Sequence, residues 1–321
     1  MKAAVIYNAG ESVQYADVAE PVVKNNDEIL ITVKAAAIKH FDKGVASGRH
    51  YSSTEKSAAR IIGGDGVGIL PGGTRVFAVG EGMVAEKAII EKDRMVVLPV
   101  GIDDVTAAAL PNAVAGSAMA IKFRAALQQG ENVLINGATG FTGRMAVQLA
   151  KHYGAKKVMA TGRNQQSLAE LLQLGADEII STQQKDEQFI AAIQAQHAAA
   201  PIDVVIDYLW GHTAELVLSS LKGKGGFTHK TRFVSVGSVT GDTIRLSAEN
   251  LRSADIQLCG SGLGSWTKQE IRQLFTEILP EIFTLAAAGN IKIETETVEL
   301  KDIETIWQIS LAGGKRLVVK I

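Results

Sequence analysis

The chain has 321 residues, 46% of them hydrophobic, enough for one large core or two modest ones. Its 33 basic and 34 acidic residues are interspersed and leave a formal net charge of -1, so nucleic acid is not an expected partner. A single cysteine, Cys259, excludes an internal disulfide and a cysteine-cluster metal site. No apolar run approaches the roughly 20 residues of a bilayer span. The opening segment Met1-Lys2-Ala3-Ala4-Val5-Ile6-Tyr7 meets Asn8 and Gly10 before a signal-peptide core forms. A cytoplasmic globular protein with no membrane partner is expected.

In chain order, residues 1–99 read as short strands broken by glycine, with examples at 29–33, 75–79 and 95–98. From there the pattern alternates. Asp103-Asp104 can cap a helix over 106–127, which Gly130 ends. Strands at 132–136, 157–161, 178–180, 203–207, 232–236 and 255–259 are separated by helices at 143–153, 165–174, 186–197 and 213–221. Apolar strands alternating with amphipathic helices indicate a parallel sheet covered on both faces. The tail changes again: a long helix over 267–288, a strand over 293–298 with one wet face, a short helix over 302–311 and a strand over 316–319. The tail is more like the strand-rich front than the middle. A doubly wound α/β domain inserted in a discontinuous β-rich domain follows.

Between the strand at 132–136 and the helix after it lies Gly137-Ala138-Thr139-Gly140-Phe141-Thr142-Gly143. Small residues let this backbone turn tightly and approach a pyrophosphate, and the N–H groups and dipole of the helix start hold the phosphates. The alternative is a tight turn that uses glycine for geometry alone. The end of the next strand selects the nucleotide. NAD-specific turns place an acid there for the ribose hydroxyls. This chain has Thr161-Gly162-Arg163-Asn164, and no acid before Glu170. Arg163 can pair with a 2′-phosphate through its planar fork, or be a solvated surface residue. The predicted cofactor is NADP(H), held by Ala138, Thr139, Gly140, Phe141, Thr142, Gly162 and Arg163. Tyr208 and Gly237-Ser238 lie at strand C-terminal ends, where α/β sheets bind ligands, and join the cofactor set.

These residues resemble the zinc-free quinone oxidoreductase branch of the medium-chain dehydrogenase/reductase superfamily over essentially the whole chain. The resemblance includes the Gly137 turn, Leu174-Gly175-Ala176-Asp177, Val236-Gly237-Ser238 and Gly313-Gly314-Lys315-Arg316-Leu317-Val318. In front it includes Gly72-Gly73-Thr74-Arg75-Val76 and Ala85-Glu86-Lys87-Ala88. It implies a GroES-like catalytic domain (1–113 and 268–321), a Rossmann NADP-binding domain (114–267) and a cofactor in the cleft between them. It also implies a homodimer built by pairing the last Rossmann strand, near 255–259, across a two-fold axis.

Zinc-dependent relatives carry a cysteine where this chain has Lys39, and a histidine where it has Gly64. A catalytic zinc needs three protein ligands, so no metal is expected; His40, Asp42 and Asp65 remain nearby in the alignment. Without a Lewis acid, simple alcohols are hard to oxidise, whereas a quinone or enone accepts hydride at carbon. Tyr51, in Ser47-Gly48-Arg49-His50-Tyr51, matches a tyrosine that the branch places near the nicotinamide; it either donates to the substrate oxygen or walls the pocket. Lys39 departs from the usual asparagine and either binds an oxyanion or the cofactor phosphates, or is a surface charge. Asn112 either faces the nicotinamide or caps a hinge. The resemblance therefore implies an NADPH-dependent reductase of a small conjugated carbonyl or quinone. The alternatives are a reductase of a bulkier conjugated acyl substrate and an NADPH-binding sensor without turnover.

Overall fold

A computed structural model describes residues 1–8, 10–46, 59–223, 228–309, 311 and 313–321. The chain divides into two compact units, one of Met1–Asn112 with Arg272–Ile321 and one of Ala113–Ile271.

The front of the chain forms β1 (Lys2–Ile6), β2 (Gln14–Asp17), β3 (Glu28–Ile38), helix α1 (His40–Ala46), β4 (Arg60–Ile61), β5 (Asp65–Ile69), β6 (Arg75–Val79), β7 (Lys87–Glu91) and β8 (Met95–Val97). The strand anticipated at 29–33 continues to Ile38 through Ala35, Ala36 and Ala37. Alanine has little strand preference of its own, so the extension comes from pairing with a strand of the tail. Helix α1 was not anticipated, because seven residues around Gly44 carry no readable helical period.

Helix α2 (Asp104–Met119) runs through Pro111 and passes into a π-helical turn, Ala120–Arg124. The second unit then alternates strictly: β9 (Asn132–Asn136), α3 (Phe141–His152), β10 (Lys157–Gly162), α4 (Gln165–Gln173), β11 (Glu178–Ser181), α5 (Asp186–Ala199), β12 (Val204–Asp207), α6 (Gly211–Ser220), β13 (Thr231–Ser235), α7 (Ala248–Ser253) and β14 (Ile256–Gly260). Among the described residues its strands form one six-stranded parallel sheet in the order β11-β10-β9-β12-β13-β14. That is the doubly wound Rossmann order, and the direction of travel reverses beside β9, where ligand crevices form. All four residues of β12 are buried, as a central strand covered on both faces requires. Leu134, Met159, Phe189, Val205, Leu218 and Phe233 fill one of the cores.

The tail supplies α8 (Lys268–Gln273), a π-helical turn Leu274–Ile278, α9 (Leu279–Ala287), β15 (Glu294–Glu299), α10 (Ile303–Trp307) and β16 (Lys315–Lys320). The long helix anticipated over 267–288 thus runs continuously over 268–287, with a π-helical turn inside it. Pro280 has no N–H for the preceding turn and its ring crowds the carbonyl four residues back, so the ladder widens just ahead of it. β16 pairs antiparallel with β3, Leu317 opposite Ile38, and the sheet runs β15-β16-β3-β5-β6-β8 with β7 also on β3. Front and tail share one core containing Ile6, Ile31, Met83, Ile90, Trp307 and Val319. No helix of the described residues is long and apolar enough to cross a membrane.

Candidate functional site

The glycine-rich turn lies between β9 and α3, at the C-terminal edge of the parallel sheet. Gly137 has φ +85°, and a Cβ there would stand 2.7 Å from the Leu209 side chain, so only glycine fits. A Cβ on Gly143 would approach the Gly137 carbonyl oxygen to 2.6 Å; its absence lets the helix close down on the turn. Gly140 precedes the helix with no side-chain cap, and a Cβ on it would meet nothing within 4 Å. The first N–H groups of a helix have no partners within it, and α3 has no acid in its first turn to serve them. This open, electropositive cradle fits a pyrophosphate. The turn is pinned from one side: Thr161 accepts from the Gly137 N–H through its hydroxyl (3.1 Å) and from the Ala138 N–H through its carbonyl (2.8 Å).

β10 ends at Gly162, which is buried, and Arg163 follows, exposed and without an ion pair or hydrogen bond among the described residues. Asn164 caps α4 by accepting from the Ser167 N–H (2.8 Å). The first acid beyond, Glu170, is paired with Arg144. A guanidinium without a competing carboxylate is what a 2′-phosphate needs. Sequence reasoning passed over Arg144. It is buried in α3, with Nε donating to the Thr139 carbonyl (3.3 Å). A cation near a helix N-terminus is disfavoured by the dipole, and that misfit was the available signal.

Tyr208 follows β12. Its hydroxyl donates to the Gly116 carbonyl (3.3 Å), and burial, with a smaller contribution from Asp207, raises its pKa. The Gly237 N–H donates to the Asp207 carbonyl (3.2 Å), and Ser238 is exposed beside it. The structure thus gathers the residues from Ala138 to Thr142, Gly162, Arg163, Tyr208, Gly237 and Ser238 along one edge of one sheet.

Lys39 and Asn112 belong to the other unit, and Tyr51 lies outside the described residues. Lys39 follows the last residue of β3, Asp65 opens β5, and Arg316 stands near the start of β16. The strand order β16-β3-β5 brings these three ends together. Asp42, in the first turn of α1, accepts from the Lys39 backbone N–H (2.8 Å). The Lys39 ammonium, only 4% exposed, pairs with Asp42 (3.3 Å) and with Asp65. Burial works to lower the ammonium's pKa, but Asp42 and Asp65 outweigh it and the net shift is upward. Burial also raises Asp42, against the pull of Lys39. Arg316 is pushed down to about 10 by burial, partly offset by Asp65 and Asp42, and donates to Asn112 Oδ1 (3.3 Å).

Residues 142–280 match the family model described as zinc-binding dehydrogenase. The quinone oxidoreductase of Sus scrofa is 30% identical over 269 residues, covering 81% of this chain and 78% of that one. The chain belongs to the quinone oxidoreductase branch of the medium-chain dehydrogenase/reductase superfamily. Solved structures give the same fold. A mycobacterial quinone oxidoreductase superposes with a TM-score of 0.83 at 18% identity, each chain covered in full. The quinone oxidoreductase of Thermus thermophilus, also solved with NADPH, gives 0.76 at 23% identity, again over the full length of both.

Proposed function

We propose that this chain is an NADPH-dependent, zinc-independent oxidoreductase that passes hydride to a quinone or another conjugated enone. The observation that carries the reading is the Lys39 ammonium, clamped by Asp42 and Asp65 where zinc-dependent relatives begin their metal site. A cation of the protein's own neutralises the two carboxylates that would otherwise attract a metal. Without a Lewis acid to lower a hydroxyl pKa, acceptors that take hydride at carbon are favoured.

The Rossmann unit is the nucleotide-binding domain, with the Gly137–Gly143 turn on the pyrophosphate and Arg163 on the 2′-phosphate. NADPH supplies the hydride when bound; the protein supplies orientation and exclusion of water. Reduction leaves an enolate or phenolate, which needs only a hydrogen bond or a proton. Two of the three Lys39 donors are engaged by carboxylates, so the third is the candidate donor in the β-rich unit, together with Tyr51. The chain acts as a homodimer through β14, whose residues 257–260 are exposed at the sheet edge, with Leu258 at 38%. The test is to mix the protein with NADPH or NADH and a panel of quinones and enones while following nicotinamide absorbance. NADPH oxidation with at least one acceptor is expected. Tight NADPH binding with no acceleration by any acceptor would contradict the enzyme reading.

A further inference from the structure

Three strands of the parallel sheet with apolar middles carry a fully buried polar residue at or next to their C-terminal ends: Asn136 on β9, Thr161 on β10 and Asp207 on β12. They form a chain of hydrogen bonds. The Asn136 amide donates to Asp207 Oδ1 (2.7 Å), the Thr161 hydroxyl donates to Asn136 Oδ1 (2.6 Å), and the Gly137 N–H donates to the Thr161 hydroxyl (3.1 Å). Resting on the NADP(H) reading above, we propose that Asp207 is a positioning residue for the cofactor turn, acting through Asn136 and Thr161 on the Gly137 N–H.

The chain runs in one direction only. An amide that gives its N–H to Asp207 must turn its oxygen to Thr161. The threonine hydroxyl then donates to that oxygen and keeps a lone pair for Gly137. What fixes the direction is the acceptor-only carboxylate at the far end. Three N–H groups converge on its two oxygens: Asn136 and Leu209 (3.2 Å) on Oδ1, and Trp210 (2.9 Å) on Oδ2. A hydrogen on either oxygen, or an amide in place of the carboxylate, sets donor against donor.

A second arm reaches the same turn. Leu209, whose N–H is held by Asp207, packs its side chain against Gly137. Trp210, whose N–H is also held, sits at φ +57°, a conformation that non-glycine residues keep only when their surroundings over-determine it. Its ring meets Phe233 edge-on at 6.3 Å. Asp207 therefore ties down the two segments that shape the turn, one by a relay and one by packing.

Burial pushes the Asp207 carboxyl up to about 6, against the three N–H donors that favour its charged form. The ionisable neighbour on which its charge acts is Tyr208, itself held neutral by burial. Protonation in mildly acidic solution inserts a hydrogen into this set of donors and loosens the turn.

The test is a binding titration of NADP+ between pH 5.5 and 8 with the native protein, Asp207→Asn, Thr161→Val and the double variant. At pH 8 each single substitution is expected to weaken binding about tenfold, the worth of one charge-assisted hydrogen bond. The double variant is expected to be no weaker than the worse single one, because both break the same chain. The ratio of native to Asp207→Asn affinity is expected to fall toward one as the pH drops. The ligand's 2′-phosphate, which titrates near ~6, cancels in that ratio. Additive losses, or a ratio flat across the range, overturn the proposal. If Asp207→Asn does not fold, Asn136→Leu with Thr161→Val carries the same cycle. A native protein that binds no NADP+ at any pH contradicts the cofactor reading itself; native binding with additive variants contradicts the relay alone.

Discussion

Each unit buries a polar cluster at the ends of its strands, and the two are built on opposite principles. In the β-rich unit, Lys39 and Arg316 face Asp42 and Asp65, so two cations offset two anions and the charges hold one another. In the Rossmann unit a single carboxylate, Asp207, is held by neutral donors alone. In the first arrangement opposite charges offset one another; in the second, one carboxyl, pushed up to about 6, titrates in a useful range. A paired cluster neutralises its own carboxylates, and an unpaired carboxylate suits a place where hydrogen bonds must be aimed.

Substitutions can break that contrast, and the largest effect is expected from Lys39→Met. It leaves the buried Asp42 and the partly buried Asp65 without their nearest cation and is expected to cost about 3 kcal/mol in urea unfolding. A loss below ~1 kcal/mol would mean the cluster is not a mutual one. Next comes the pH dependence of Asp207→Asn. The folded carboxyl titrates at about 6 against 3.8 when exposed, so across that window the folded state holds a proton that the unfolded chain has lost. Stability contributed by the protonated group is complete below the lower value and is lost as pH rises through the upper one. The native-minus-variant difference in unfolding free energy should therefore fall by about 2 kcal/mol between pH 4 and 7. A difference that does not change with pH would remove the titrating carboxylate from the comparison.

Arg163→Asp sharpens the cofactor side. It replaces the free guanidinium with a charge that repels a 2′-phosphate, and the preference for NADPH over NADH is expected to drop about ten- to hundredfold. Survival of the preference in paired Kd measurements would move the 2′-phosphate site elsewhere. The smallest effect on stability belongs to Gly140→Ala. The new methyl meets no protein atom within 4 Å, so unfolding should change by about 1 kcal/mol or less while NADP(H) affinity falls, the methyl intruding on the phosphate cradle. Unchanged affinity would mean that the phosphates do not approach there.

The Rossmann half was legible because its strands are buried on both faces. The run 132–136 coincides with β9, and the alternation with amphipathic helices has few other solutions. The long helix of the tail was legible too, but not the π-helical turn inside it, although Pro280 marked where the ladder had to widen. Helix α1 was too short to show a period, and the alanines of β3 take their conformation from partners more than 270 positions away. In the candidate site, the glycine turn and Arg163 could be read from local spacing. The clamp on Lys39 could not, since Asp65 and Arg316 reach it only through strand order. The relay left a faint trace: three apolar strands closing on a polar residue at the edge where ligands bind.

The most direct test of the central claim is turnover without metal. The protein is stripped with a strong chelator, its zinc content measured, and NADPH oxidation followed with a quinone or enone that it accepts. The expected result is full activity at zinc far below one ion per chain. Activity that disappears with the metal and returns on adding zinc would contradict the account.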